Sequence, residues 1–142
     1  MAATSLINTK ALLPRVQDGS VEGIDIIAAT TILTAADSGR VFRVSKAAAL
    51  TINLPALAPG LKFTFLGGAT IAFAATITAP GANTDIVGLW RRDTGVGNAT
   101  VGSSSIIFTT TSVPGDRIDM VCDGIDWNVL GSTGAAAGLA FA

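Results

Sequence analysis

The sequence contains no histidine and no tyrosine, and its 142 residues include one cysteine, Cys122, and one glutamate, Glu22. Without histidine the chain cannot build a Ser-His-Asp or Cys-His catalytic group, and it offers no imidazole to a metal ion. One cysteine cannot form an intrachain disulfide, a redox pair or a cysteine-based zinc site. We therefore expect that the protein is not an enzyme and has no catalytic residue, metal site or cofactor.

Charged residues are also scarce. They make up 13% of the chain, with a net charge of −1, whereas an ordinary soluble domain has about 25%. The nine Lys and Arg residues are scattered, and Arg91-Arg92 is their only adjacent pair. Nucleic-acid binding depends on clustered cations that neutralise phosphates. The composition therefore predicts no nucleic-acid partner.

The segment 63–84 is the best candidate for a membrane span, because it has no charged residue. It is interrupted by Gly67-Gly68 and Pro80-Gly81, and its large apolar residues recur at every second position, which is a strand period. The first residues lack the basic and apolar regions of a signal peptide. We expect no membrane partner and synthesis in a cytoplasm without export.

Long stretches of the chain carry almost no charge. Between residues 47 and 84 the only charged residue is Lys62, and the ranges 94–115 and 127–142 have none. A monomer with this pattern would expose large neutral surfaces, although soluble monomers keep apolar patches small. The pattern therefore predicts that the chain assembles with itself or with a partner.

Runs rich in Val, Ile, Thr and Phe, separated by Gly, Pro, Asn and Asp, predict short strands joined by tight turns. No interval has a sustained helical period, and no repeat at solenoid or propeller spacing is recognised. We predict an all-β fold, a single small β-barrel or sandwich of about eight to nine short antiparallel strands over residues 24–131. The predicted strands cover 24–34, 40–45, 50–54, 61–66, 70–78, 85–90, 105–111, 117–122 and 127–130.

The two ends differ from this central part. Residues 1–23 contain few apolar side chains, separated by polar residues and a proline, and are predicted to form an extended N-terminal arm. Residues 132–142 consist mainly of Gly, Ala, Ser and Thr and are predicted to form a short C-terminal tail. Both ends are expected to dock outside their own domain, on a partner or a neighbouring subunit, through Leu6, Ile7, Leu12, Leu13, Leu139 and Phe141.

Four carboxylates lie close together in the sequence, at Asp116, Asp119, Asp123 and Asp126. Paired carboxylates can hydrolyse glycosides or bind Ca²⁺, but Asp beside Gly at a strand boundary is typical of a turn. We favour turn and surface roles over a cation site, and a cation site over catalysis. The glycine-rich segment 95–102 lacks the helix and Lys of a phosphate loop and is interpreted as a hairpin loop.

Two further groups of residues have alternative interpretations. Trp90-Arg91-Arg92 is either a strand end or a contact for a protein, sugar or base, and we include all three residues among the candidate interface residues. Cys122 and Trp127 are expected in the core, Cys122 because it continues an apolar strand face and Trp127 because it begins the last strand after a turn.

Several short motifs occur in a characteristic order between residues 30 and 131. They are Asp37-Ser-Gly39, Leu50-Thr-Ile-Asn-Leu54-Pro55, Pro59-Gly60, Ile86-Val-Gly88, Pro114-Gly115-Asp116 and Asp123-Gly-Ile-Asp-Trp127. This order resembles tailed-bacteriophage virion proteins, among them small capsid decoration proteins and modules of tail or head fibres.

The resemblance to decoration proteins implies a β-barrel or sandwich that binds as a homotrimer to the outside of a capsid. The partner implied is a major capsid protein of HK97-like fold, and the location implied is the exterior of a virion assembled in the host cytoplasm. Such a protein would stabilise the mature shell by bridging capsid subunits. The alternative is a fibre module that binds a host receptor or glycan.

Overall fold

The computed structural model describes residues 24–81, 85–95 and 97–142 of the chain. The predicted N-terminal arm, with its candidate interface residues Leu6, Ile7, Leu12 and Leu13, lies outside the described residues. No helix in the described part is long and apolar enough to cross a membrane.

Strands dominate the described residues, as the sequence predicts. These residues form twelve strands, which corrects the prediction of eight to nine, and one short 3-10 helix at Ala35–Asp37. The strands are β1 (Ile24–Ile27), β2 (Thr31–Ile32), β3 (Val41–Lys46), β4 (Leu50–Asn53), β5 (Lys62–Ile71), β6 (Ala75–Thr78), β7 (Ile86–Arg92), β8 (Gly97–Ser103), β9 (Ser105–Phe108), β10 (Arg117–Cys122), β11 (Trp127–Thr133) and β12 (Leu139–Phe141).

The strands form two sheets that enclose one apolar core, so the protein is a sandwich and not a closed barrel. The larger sheet has the order β1-β3-β5-β10-β11-β7-β8, and the smaller has the order β12-β9-β6-β4-β2. The prediction of antiparallel strands is wrong for half of these pairings. β1/β3, β3/β5, β2/β4, β4/β6 and β7/β11 are parallel, and the other five pairs are antiparallel.

The parallel pairs arise because the first half of the chain winds back and forth between the sheets. β1, β3 and β5 lie in the larger sheet, while β2, β4 and β6 lie in the smaller one. Each time the chain returns to a sheet, the new strand pairs in parallel with the previous strand of that sheet. The path resembles a flattened coil of three turns. The segments 50–55 and 75–80 occupy equivalent places in two turns, with Leu50 opposite Ala75, and their sequences LTINLP and ATITAP are similar. This short internal similarity is not among the features predicted from the sequence.

The core combines inward-facing residues of both sheets into one cluster. Trp127 is fully buried, and its ring lies 5.6 Å from that of Phe63, which also contacts Phe42 and Phe65. Cys122 is buried as well. The core positions predicted for Trp127 and Cys122 are therefore confirmed.

The C-terminal residues belong to the sandwich, which corrects the predicted tail and the predicted domain boundary at residue 131. β11 continues to Thr133, and β12 pairs with β9, placing Leu139 opposite Phe108. Leu139 is 1% exposed, and Phe141 is half-buried against the core. Neither residue is the free docking group that the sequence predicts, because both are used within the chain.

Candidate interaction surface

The four neighbouring carboxylates do not form a common site. Among the described residues, no group of three or more His, Cys, Asp or Glu side chains could hold a metal ion. Asp116 is 1% exposed and accepts hydrogen bonds from the Thr133 hydroxyl and the N–H groups of Gly134 and Val113, each at 2.9 Å. It joins the turn before β10 to the end of β11, which is a structural role.

Asp123 organises the turn between β10 and β11. Its carboxylate accepts hydrogen bonds from the backbone N–H groups of Ile125 and Asp126, both at 2.8 Å, and from the amide of Asn128 at 2.9 Å. The N–H of Asp126, with that of Ile125 and the Asn128 amide, holds the pKa of Asp123 below its ordinary value. The Asp-Gly-x-x-Trp motif thus builds a turn that places Trp127 in the core.

Asp119 lies on the outer surface of the larger sheet, where Arg117 Nε donates a hydrogen bond to it at 2.7 Å and Thr64 Oγ1 does so at 2.7 Å. Partial burial raises the pKa of Asp119, but these hydrogen bonds and the Arg117 charge outweigh that effect and lower it overall. The same hydrogen bonding raises the pKa of Arg117. A carboxylate held ionised in this way is suited to an ion pair and not to general acid catalysis.

Trp90, Arg91 and Arg92 do not form one exposed patch. Trp90 faces the core and is 5% exposed, and the half-buried Arg92 has its guanidinium carbon 5.6 Å from the centre of the Trp90 ring. Only Arg91 points outward and is exposed, because neighbouring side chains of a strand point to opposite faces. Trp90 is therefore buried and Arg92 half-buried, whereas Arg91 is exposed and remains a candidate interface residue.

The outward position of Arg91 belongs to a continuous surface that covers the larger sheet. Strand pairing arranges the outward residues of this sheet in rows that run across the strands. The first row, from β1 to β8, consists of Ile26, Arg43, Leu66, Arg117, Ser132, Arg91 and Gly97. The second consists of Ile24, Val41, Thr64, Asp119, Leu130, Leu89 and Ala99. A shorter third row contains Lys62, Val121, Asn128 and Val87.

We call these three rows the arginine face. Large apolar side chains are exposed on it, namely Ile26 at 69%, Leu130 at 57% and Val121 at 49%. Its charged residues are Arg43, Arg91, Arg117, Lys62 and Asp119. Of these, only Arg91 is an interface candidate predicted from the sequence, although the alternation of 117–122 marks the outward positions of β10, the central strand of the sheet.

A shallow cleft lies at the end of the arginine face beside Arg91. It is lined by Arg91, Arg92, Asp93, Gly115, Ser132, Thr133 and Gly134. Gly134 is held there by the buried carboxylate of Asp116. The cleft is open and offers hydroxyl, guanidinium, carboxylate and backbone groups, which are suited to hydrogen bonding with a partner surface.

No protein-family model, no curated protein and no solved structure matches this chain. The residues, their geometry and the motif order described above are therefore the basis for a functional conclusion.

Proposed function

We propose that the chain is a structural virion protein, which binds the outer surface of a phage capsid as a homotrimer and stabilises the mature shell. The observation that carries this proposal is the arginine face, a broad surface across a seven-stranded sheet that exposes both apolar and charged side chains. Protein interfaces combine these features. The motif order, which resembles that of tailed-phage virion proteins, supports the same proposal.

In this proposal the protein stabilises the shell by binding alone, without a chemical reaction. A shell fails where neighbouring capsid subunits separate, so a protein that bridges them adds an interface that must also be broken. Binding to the mature shell and not to its separated subunits stabilises the shell by mass action. Three linked copies bind more tightly than one because the second and third contacts form at high effective concentration.

The alternative of a glycan-binding fibre module loses its main support. Such a module would present an aromatic-lined groove, for which Trp90 and Trp127 are the only tryptophan candidates in the sequence. Trp90 is 5% exposed and Trp127 is fully buried. Neither indole can stack on a sugar without unfolding part of the core.

The proposal is tested on purified particles of the phage whose genome encodes the chain. Mass spectrometry and immunogold labelling should find the protein on the capsid exterior, and light scattering of the purified protein should give a trimer. Particles that lack the protein should release DNA at a lower temperature than wild-type particles, and adding the protein back should restore the wild-type release temperature. The proposal fails if purified particles do not contain the protein, or if particles with and without it have the same heat resistance.

A further inference from the structure

Three arginines stand in one row of the arginine face. Arg43, Arg117 and Arg91 lie on β3, β10 and β7, and one strand separates each from the next. Strands of a sheet are about 4.8 Å apart, so successive arginines are separated by roughly 10 Å at the backbone. Leu66 and Ser132 occupy the positions between them, which leaves the guanidinium groups room to extend from the surface.

The net charge of the arginine face is opposite in sign to the net charge of the other residues. It has four cations, Arg43, Lys62, Arg91 and Arg117, and one carboxylate, Asp119. Its net charge is therefore +3, and since the whole chain carries −1, the other residues carry −4. Arg117 pairs with Asp119, whereas none of the ion pairs between described residues involves Arg43 or Arg91. The face is locally basic on a slightly acidic protein.

The surrounding residues favour an acidic protein over a nucleic acid as the partner. Single-stranded nucleic acid binds on aromatic side chains within a basic groove, and the three rows contain no aromatic residue. Instead, aliphatic side chains are exposed beside the arginines, with Leu130 at 57% and Ile26 at 69%. Aliphatic groups lose water favourably against another protein surface but not against phosphates.

We propose that the arginine face is the capsid-binding surface, and that it docks on an acidic, partly apolar region of the capsid subunit. This inference rests on the proposed function and adds to it the surface and the chemistry of the partner. Arg43 and Arg91 pair with capsid carboxylates at two ends of the contact, while the aliphatic residues between and beside them exclude water. Charge complementarity of this kind guides association and fixes orientation.

The test is the binding of purified variants to phage particles that lack the protein. Arg43→Gln with Arg91→Gln removes two cations that make no ion pair with another described residue, so circular dichroism should show an unchanged fold. A matched control, Ala56→Glu with Thr110→Glu, lowers the net charge by the same two units at exposed linker positions outside the face. We expect about tenfold weaker binding for the arginine variant and wild-type binding for the control.

Salt dependence provides a second readout. Wild-type binding should weaken as salt rises above about 0.15 M, and the arginine variant should show a smaller salt dependence because it forms fewer ion pairs with the capsid. If wild-type protein binds the particles and the arginine variant binds equally well, the docking surface is wrong while the proposed function stands. If wild-type protein does not bind the particles, both fail.

Other occupants of the face are distinguished with the same variants. If light scattering shows that the arginine variant loses a self-association that the control keeps, the face is an interface between copies of this chain, and the inference is overturned. Tight binding of a fluorescent single-stranded DNA, lost in the arginine variant, would replace the acidic protein with a nucleic acid and would also overturn it.

Discussion

Replacing Asp116 tests whether the C-terminal strands are held as the structure indicates. Its buried carboxylate accepts three hydrogen bonds at 2.9 Å, from Thr133, Gly134 and Val113. Hydrogen bonds to a charged group contribute about 1.5–3 kcal/mol each, but the carboxylate regains its hydration when the protein unfolds. Gly134 and Val113 lie at exposed positions where water can replace the lost acceptor, whereas the Thr133 hydroxyl stays buried. We expect Asp116→Ala to lower the free energy of unfolding by about 2–4 kcal/mol.

Asp116→Asn should have a smaller effect, about 1–2 kcal/mol, because the amide keeps one acceptor oxygen and replaces the other with a donor. Urea unfolding followed by tryptophan fluorescence measures both variants, since both tryptophans are buried and the chain has no tyrosine. Asp93→Ala, which removes an exposed carboxylate in the turn after β7, is the control and should change stability by less than about 0.5 kcal/mol. A change in Asp116→Ala no larger than that of the control would refute the reasoning.

Core truncation and acid should also lower the stability of the sandwich. Trp127→Ala should lower the free energy of unfolding by about 3–5 kcal/mol, because it removes a fully buried aromatic side chain; an unchanged melting curve would contradict this. Leu139→Ala should lower the free energy of unfolding, measured with urea, by about 2–5 kcal/mol. If Leu139 lay in a free tail, the substitution would leave this free energy unchanged. Asp37, Asp119 and Asp123 have pKa values below their ordinary value of 3.8 in the folded protein, so the stability they contribute is present above that value and is lost as the pH falls through the lowered values. The urea concentration at the unfolding midpoint should therefore decrease as the pH is lowered below about 4, and Asp119→Asn should make this decrease smaller. A midpoint that does not change below this pH would contradict the expectation.

The alternation of apolar and polar residues along the sequence predicts most of the strands. The prediction at 117–122 coincides with β10, and the one at 50–54 differs from β4 by a single residue. Both have apolar residues at every second position, which is information contained within the strand itself. The predicted strand at 24–34 is instead two strands, β1 and β2, which lie in different sheets. The three residues between Ile27 and Thr31 are exposed and turn the chain from one sheet to the other.

The alternation within a strand does not indicate whether it pairs in parallel or antiparallel with its neighbours. Turn residues such as Pro59-Gly60 suggest hairpins, but the linker that contains them carries the chain from β4 in one sheet to β5 in the other. Parallel neighbours are therefore distant in the sequence, and even the nearest such partners, Ile24 and Val41, are 17 residues apart. The only local signal is the six-residue similarity between 50–55 and 75–80, and the pairing of β3 with β5 is further shifted by an irregularity after Val44.

Three predicted interface residues, Trp90, Leu139 and Phe141, are buried or half-buried in the structure. Trp90 and Arg92 share one strand face and Arg91 occupies the other, so the three could not form a single exposed group. Leu139 and Phe141 have the same two-residue spacing, which is typical of a strand, but the Gly- and Ala-rich residues before them suggested a tail. Short edge strands of this kind depend on a partner strand, here β9, which the sequence does not identify.

The uncharged stretches that predicted an assembly have a second explanation in the fold. β4, β5 and β6 each lie between two neighbouring strands, and Ile52, Phe63 and Ile77 fill the core from them. Burial within one chain thus accounts for much of the missing charge, and the homotrimer stays a prediction.

The apolar surface left for a partner is smaller, and part of it lies on the arginine face. Of the nine large apolar residues exposed in the described part of the chain, four lie on the arginine face, namely Ile24, Ile26, Val121 and Leu130. Apolar groups exposed together on one surface of a soluble protein mark a contact with another molecule, and here they lie near Arg43 and Arg91, which form no ion pair within the described chain. A protein partner with carboxylates and apolar side chains would satisfy both kinds of group at once. This is the physical reason for placing the partner on the larger sheet and not at the C-terminal strand, whose apolar residues are already buried.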